Sequence, residues 1–203
     1  GAKGIHPKAV EVAMDWNLPI RVRNTFNPEG PHTLIVGEAE VKAGFTAKAV
    51  SLIPEVAMIT VGGAGLAGAP EVAAELFRIL SEKGASILMI SQGSSEANIS
   101  FAVPRSMADE LVPLLEMRLL GGKTVRQVEV EDDVCIVALV GAGMRGTPGI
   151  AARVFKAVAA EGVNIRMIAQ GSSELNISFV VKREDGPKAV RALHREFRLG
   201  EAG

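Results

Sequence analysis

Apolar and polar positions along the chain spell one series of elements twice, after a lead-in that is not repeated. In the lead-in, Ala9, Val10, Ala13 and Met14 fall on one side of a helix that follows Pro7, and LPIRVRNTF reads as a short strand ending in the turn NPEGP. TLIVGEAEV, Thr33 to Val41, is a weaker strand candidate, and KAGFT is a break. A helix and one strand cannot bury a core, so this segment reads as the tail of a larger domain or as a lead-in packed on the repeats. Each repeat then opens with a strand of modest apolarity, AKAVSLI or VRQVEVE, and a strongly apolar strand, VAMITV or VCIVALV. A glycine-rich loop comes next, GGAGLAGAP or GAGMRGTP, whose Pro70 or Pro148 suits the first turn of a helix because its missing N–H has no partner there. The predicted helix carries Val72, Leu76, Phe77 and Leu80 on one face in the first copy, and Ile150, Val154, Phe155 and Val158 in the second. Gly84 and Gly162 supply the stop. Two strands joined by a Gln-Gly-Ser-Ser-Glu turn and a closing helix complete each copy.

The turn is the sharpest sign of duplication: QGSSEANISF, Gln92 to Phe101, returns as QGSSELNISF, Gln170 to Phe179. Laid on itself with a shift of about 78 positions, Val56 to Val103 matches Val134 to Val181 at about half its places. Apolar matches preserve a core, whereas an identical polar run calls for a site or a constrained hairpin. Counted from the apolar strand, a copy reads βαββαβ, the split-βαβ plan of an α+β, ferredoxin-like sheet backed by helices. VRQVEVE, Val125 to Glu131, supplies the fourth strand of the first module, but the chain ends too soon after Phe197 to supply one for the second. AKAVSLI, Ala47 to Ile53, aligns with VRQVEVE and is expected to cross over, which inserts the first module within the second. The expected divisions are residues 1–43 as lead-in, 55–132 as the first module, and 44–54 with 133–199 as the second.

Composition narrows the function classes. The chain of 203 residues is 48% hydrophobic with a net charge of −1, which fits two cored modules and argues against a disordered tail or a polyanion binder. Its apolar runs are strand-sized, too short to span a bilayer, and the first residues do not read as a signal peptide, so a cytoplasmic, non-membrane location is expected. Cys135, the only cysteine, sits inside VCIVALV and reads as a buried small hydrophobe. His6, His32 and His194 lack metal-ligand spacing and read as surface or capping residues, so no metal site is expected.

Two features carry candidate chemistry. Glycines before a helix start place backbone N–H groups at the positive end of a helix dipole, which suits a carboxylate or phosphate; the same glycines also serve a plain tight turn. The loops lack a Walker lysine, and the modules are too short for a Rossmann half. In the strand before the turn, Gln92 and Gln170 have both donor and acceptor capacity and are expected near the glycine loop, beside the apolar first strand. Hairpin closure through side-chain to backbone bonds accounts for the serines and for Asn98 and Asn176; it accounts poorly for a glutamine in both copies. Glu96 and Glu174 read as structural. No Ser/His/Asp set and no basic groove is evident, and Phe101 and Phe179 point to the core instead of forming a base-stacking platform, so nucleic acid is not an expected partner.

The pair GAGLAGAP...SQGSSEANISF and GAGMRGTP...AQGSSELNISF resembles the tandem ACT modules of aspartokinases, and GAKGIHPKAV...PIRVRNTFNPEGPHTLI resembles the end of their kinase domain with its linker. The resemblance covers essentially the whole chain. It implies a regulatory region that binds an end-product amino acid and feedback-inhibits ATP-dependent phosphorylation of aspartate, and that forms a homodimer through its ACT modules beside the kinase domain of the parent chain. ATP and magnesium are implied for the parent enzyme, and no cofactor for this chain. The kinase body is missing, so the chain is expected to be inactive alone, with Lys3 a remnant of a nucleotide-contacting position. Leu88 and Arg166 stand where lysine-responsive relatives tend to carry an acid, and the Gln-Gly-Ser-Ser-Glu form resembles the threonine-responsive type. The implied effector residues are Gly65, Leu66, Gly68, Ala69, Pro70, Gln92, Ser95 and Asn98 in the first module, and Gly143, Met144, Gly146, Thr147, Pro148, Gln170, Ser173 and Asn176 in the second. The loops differ: Thr147 is a candidate helix cap where Ala69 is not, and Glu71 already serves the helix dipole, so the second loop is expected to be the better carboxylate receptor. The rival readings are a purely structural dimerisation module and a lysine or methionine sensor.

Overall fold

The computed structural model describes residues 4–37, 46–64, 66, 69–92, 97–122 and 124–200. The lead-in forms helix α1 (Pro7–Asp15), capped by His6, whose Nδ1 accepts the Lys8 N–H at 3.2 Å, and a two-stranded antiparallel ribbon of β1 (Ile20–Val22) and β2 (Thr33–Ile35). Lys3 and residues 38–45 lie outside the described residues.

The remaining strands form one six-stranded antiparallel sheet in the order β4-β5-β3-β6-β8-β7. Its two central strands are long: β3 (Ala49–Gly62) and β6 (Gln127–Val140). Sequence pattern predicts two strands in each of these stretches; the chain instead runs through both as one. The break expected near Pro54 and Asp132 is reduced to register shifts between Ile53 and Met58, since a proline without an N–H is tolerated at a bulge. Ala49 to Ile53 pairs with Val140 to Ile136, and Met58 to Gly62 pairs with Glu131 to Gln127. The first half of β3 therefore serves the second module and the first half of β6 serves the first.

Each module has the ferredoxin-like strand order. The first contains α2 (Pro70–Glu82), β4 (Met89–Ser91), β5 (Asn98–Pro104) and α3 (Ala108–Leu119); the second contains α4 (Ile150–Ala160), β7 (Ile165–Gln170), β8 (Asn176–Lys182) and α5 (Gly186–Glu196). The first module is inserted within the second. Helices α2 and α3 cover Ile59, Val61 and Phe101, while α4 and α5 cover Val137, Leu139 and Phe179. A third cluster joins the other faces of the two halves: Val56, Met58, Met89 and Ala102 meet Val134, Ile136, Met167 and Val180. Burial on both faces explains why Val56–Ile59 and Val134–Val137 are apolar without alternation.

The helix starts and faces depart from expectation in two places. Proline Pro70 opens α2, but Pro148 stays outside α4, which begins at Ile150 because Gly149 has a left-handed φ of +88°. Phe155 lies on the packed face as expected, edge-on to Phe179 at 6.3 Å, whereas its counterpart Phe77 is about one-third exposed and Ile79 fills the core instead. Where the modules cross, the Arg183 guanidinium bonds the Glu55 carboxylate at 3.3 Å and the Asp132 carbonyl at 2.9 Å, and Arg105 bonds the Asp132 carboxylate at 3.1 Å.

Candidate functional site

The loop after β6 and the hairpin after β7 enclose a cavity of about 320 Å3 in the second module, lined by Met144, Gly146 to Ala151, Gln170, Glu174 and Ile177. Ile177 and Gln170, two of its lining residues, stand opposite one another in adjacent strands, and Ile177 pairs on its other side with the buried Leu139 of β6. Expectation placed Gln170 beside the apolar first strand; it is instead on edge strand β7, with β8 between, and the loop reaches it by folding over the end of β8. Inside the loop, the N–H groups of Met144, Arg145 and Thr147 bond to the carbonyls of Gly141, Ala142 and Met144, so the turn uses several donors itself. Thr147 does not cap α4. Its Oγ1 donates to the Gly143 carbonyl at 2.9 Å, because Gly149 has displaced the helix start from its reach. The Gly146 N–H points the other way, to the Glu174 carboxylate at 2.6 Å. Ile150 and Ala151 bring the first turn of α4, whose leading N–H groups lack intrahelical partners, to the cavity wall.

The first module has a counterpart of about 300 Å3, lined by Leu66, Ala69, Pro70, Ala73, Gln92 and Ile99. Glu71 lies in the first turn of α2, where its charge serves the dipole. The two cavities thus share a glutamine and a buried isoleucine at the same repeat positions but differ in their loops.

An ACT-domain family model matches residues 59–118 and 137–197, more than half of the chain. The solved regulatory subunit of aspartate kinase from Thermus thermophilus is 33% identical, with a TM-score of 0.65 over 75% of this chain and 98% of that one. This chain belongs to the ACT regulatory regions of aspartokinases. Among curated relatives, the bifunctional aspartokinase/homoserine dehydrogenase 1 of Arabidopsis thaliana is 40% identical over 98% of this chain and 23% of its own length, and the aspartokinase of Thermus thermophilus is 34% identical over 100% of this chain and 49% of its own. The chain therefore spans from about a quarter to half of these relatives. The solved aspartokinase III of E. coli in complex with lysine and aspartate is 25% identical, with a TM-score of 0.76 over 95% of this chain and 42% of that one.

Not every residue singled out from the ACT repeats lines a cavity. Leu66, Ala69, Pro70 and Gln92 line the first; Met144, Gly146, Thr147, Pro148 and Gln170 line the second. Asn98 and Asn176 begin β5 and β8 and neighbour the inward-facing Ile99 and Ile177, so the two-residue strand period turns them to the opposite face. Gly143 contributes its carbonyl to the loop, and Ser173 is exposed in the hairpin. Gly65, Gly68, Ser95 and Glu96 lie outside the described residues. The sequence did not single out Glu174 as a site residue; its presence in both copies was the available signal. Gln92 and Gln170 are exposed at the cavity rims, so neither is a buried polar group in this state.

Cys135 is buried, and loss of solvation pushes its thiol up to about 11, which leaves it protonated and unreactive near neutrality. Among the described residues, no group of His, Cys, Asp and Glu has the arrangement of a metal site, and no helix is long and apolar enough to cross a membrane.

Proposed function

We propose that this chain senses an end-product amino acid, threonine, for an aspartokinase and feedback-inhibits its ATP-dependent phosphorylation of aspartate. The observation that supports this reading most is the second-module cavity, whose size falls at the lower end of the roughly 300–1,000 Å3 typical of small-molecule sites and which unites a glycine loop, a helix start and a glutamine amide. In this reading the loop and helix N–H groups take the carboxylate, Gln170 bonds the polar end, and Ile177 and Met144 contact the aliphatic part. Leu88 is apolar and Arg166 is paired with Glu131 at 3.5 Å, so neither offers a partner to a lysine ammonium. The first cavity is the weaker receptor because its helix start carries Glu71.

A signal has a short route out of this site. The loop continues directly from β6, and β6 is shared with the first module, so a ligand that favours one loop arrangement biases the packing of both modules. Coupling of about 1–3 kcal/mol is ordinary for such sensors. ATP and magnesium chemistry belongs, in this reading, to the catalytic part of the parent chain, with Lys3 as a remnant of that part, and the location is cytoplasmic. Trp16 and Phe26, 76% and 98% exposed on the lead-in, suit burial against the remainder of a longer chain.

A homodimer accompanies this reading, and one observation favours it: the edge strands β4 and β7 expose Ile90 and Ile168 at equivalent positions. Dimerisation without sensing is the second reading. A thermal-shift screen of the twenty amino acids on the 203-residue chain separates them. Stabilisation by threonine supports the sensor, stabilisation by lysine or methionine replaces the ligand, and a flat screen leaves only the dimerisation module.

A further inference from the structure

In the second cavity Glu174 is the only charged side chain among the described lining residues, and it sits where the functional reading places a ligand's carboxylate. Its carboxylate accepts the Gly146 N–H at 2.6 Å, and a carboxylate acceptor makes this a charge-assisted bond. Both ends of the contact are set by the backbone. Arg145 leaves the turn with an extended ψ of 128°, which points the Gly146 N–H away from the turn's own bonds; Gly146 follows with φ of +64°, and Glu174 has φ of +56° at the tip of the hairpin, its N–H held by the Gly171 carbonyl at 3.0 Å. The side chain thus spans from the hairpin across the cavity mouth to the loop.

We propose that Glu174 is a built-in competitor for the effector's carboxylate. This rests on the effector reading above and deepens it. Two carboxylates brought to one N–H donor repel each other and each gets a weaker bond than it would alone, so an incoming α-carboxylate takes the Gly146 N–H as Glu174 leaves it. Glu174 lowers affinity for any carboxylate ligand and keeps the loop and hairpin bonded to one another while the site is empty. Displacement then releases the hairpin from the loop, which ties occupancy to a change in shape. A neutral amino-acid amide, lacking the charge that competes, gains less from removal of Glu174 than the free amino acid does.

The test is calorimetry of threonine and threonine amide with the 203-residue chain and its Glu174→Gln and Glu174→Ala variants, together with the Gly146 amide proton shift of each. The expected result is threonine binding about tenfold tighter in both variants, a smaller gain for the amide, and an upfield move of the Gly146 proton in Glu174→Ala. Unchanged or weaker threonine binding in the variants overturns the proposal, and weaker binding assigns Glu174 to the ligand's ammonium instead. A Gly146 proton indifferent to Glu174→Ala overturns the contact, whatever threonine does. If the proton moves but threonine binds none of the three chains, displacement falls together with the effector reading and only the loop-to-hairpin contact remains.

Discussion

Ile53 stands opposite Ile136 in antiparallel register. A residue that precedes the first module in the chain thus helps to complete the sheet of the second, and neither module is closed without a strand half from the other. Leu52, the neighbour of Ile53, faces Val137 and packs on the second module's core.

A charge at Leu52 should therefore damage the distant module first. Leu52→Asp is expected to cost about 2 kcal/mol or more by burying an unpaired carboxylate. Hydrogen exchange should report the loss of protection at Ile177 to Val181 before Ile99 to Val103. The reverse order would mean that the strand exchange does not govern module stability.

Gln170→Ala should weaken threonine binding by about 1–1.5 kcal/mol, roughly tenfold, through loss of one side-chain hydrogen bond. On the proposed asymmetry of the two loops, Gln92→Ala should have a smaller effect. Titration calorimetry on both variants checks this, and two equal threonine sites in the unaltered chain would count against the asymmetry.

Gly149 sets the start of α4 through its left-handed backbone. A methyl added there meets nothing within 4 Å, so the cost of Gly149→Ala is conformational. It should amount to about 1–2 kcal/mol, and lower the melting temperature by about 2–4 °C for each kcal/mol. Ala151→Gly, in the same first turn but without a positive φ, should cost no more than about 1 kcal/mol; comparable scanning-calorimetry losses with threonine binding unchanged would remove any special role for the Gly149 turn.

Burial raises the Cys135 thiol to about 11 from its ordinary value near 9.0. The unfolded chain releases this proton first, so the buried thiol's contribution to stability is full below about pH 9 and is lost as pH rises toward 11. Denaturant melts of the chain and of Cys135→Ala should converge across that interval. A thiol reagent at pH 7.5 should label Cys135 only at the rate of unfolding, and prompt labelling of the folded chain would contradict the burial.

Much of this architecture was legible in the chain alone. Helical spacing located α2 and α4, the left-handed glycines Gly84 and Gly162 marked their ends, and the repeated polar run located the hairpins. The need of the second module for a fourth strand came from counting elements, since an open sheet edge needs a partner. These are local or arithmetic properties, and a strand's alternation or a helix's stripe is written in adjacent residues. The site was legible only as an inventory of residues. Pattern placed Gln170 beside the first strand, and the sheet order put β8 between them. Thr147 looked like a cap until Gly149 moved the helix start. Glu174 reads as hairpin structure in sequence, whereas its carboxylate bonds Gly146, 28 positions away. Which donors a loop keeps for a ligand and which it uses for itself depends on side chains converging from separate strands, and only the folded sheet sets those distances.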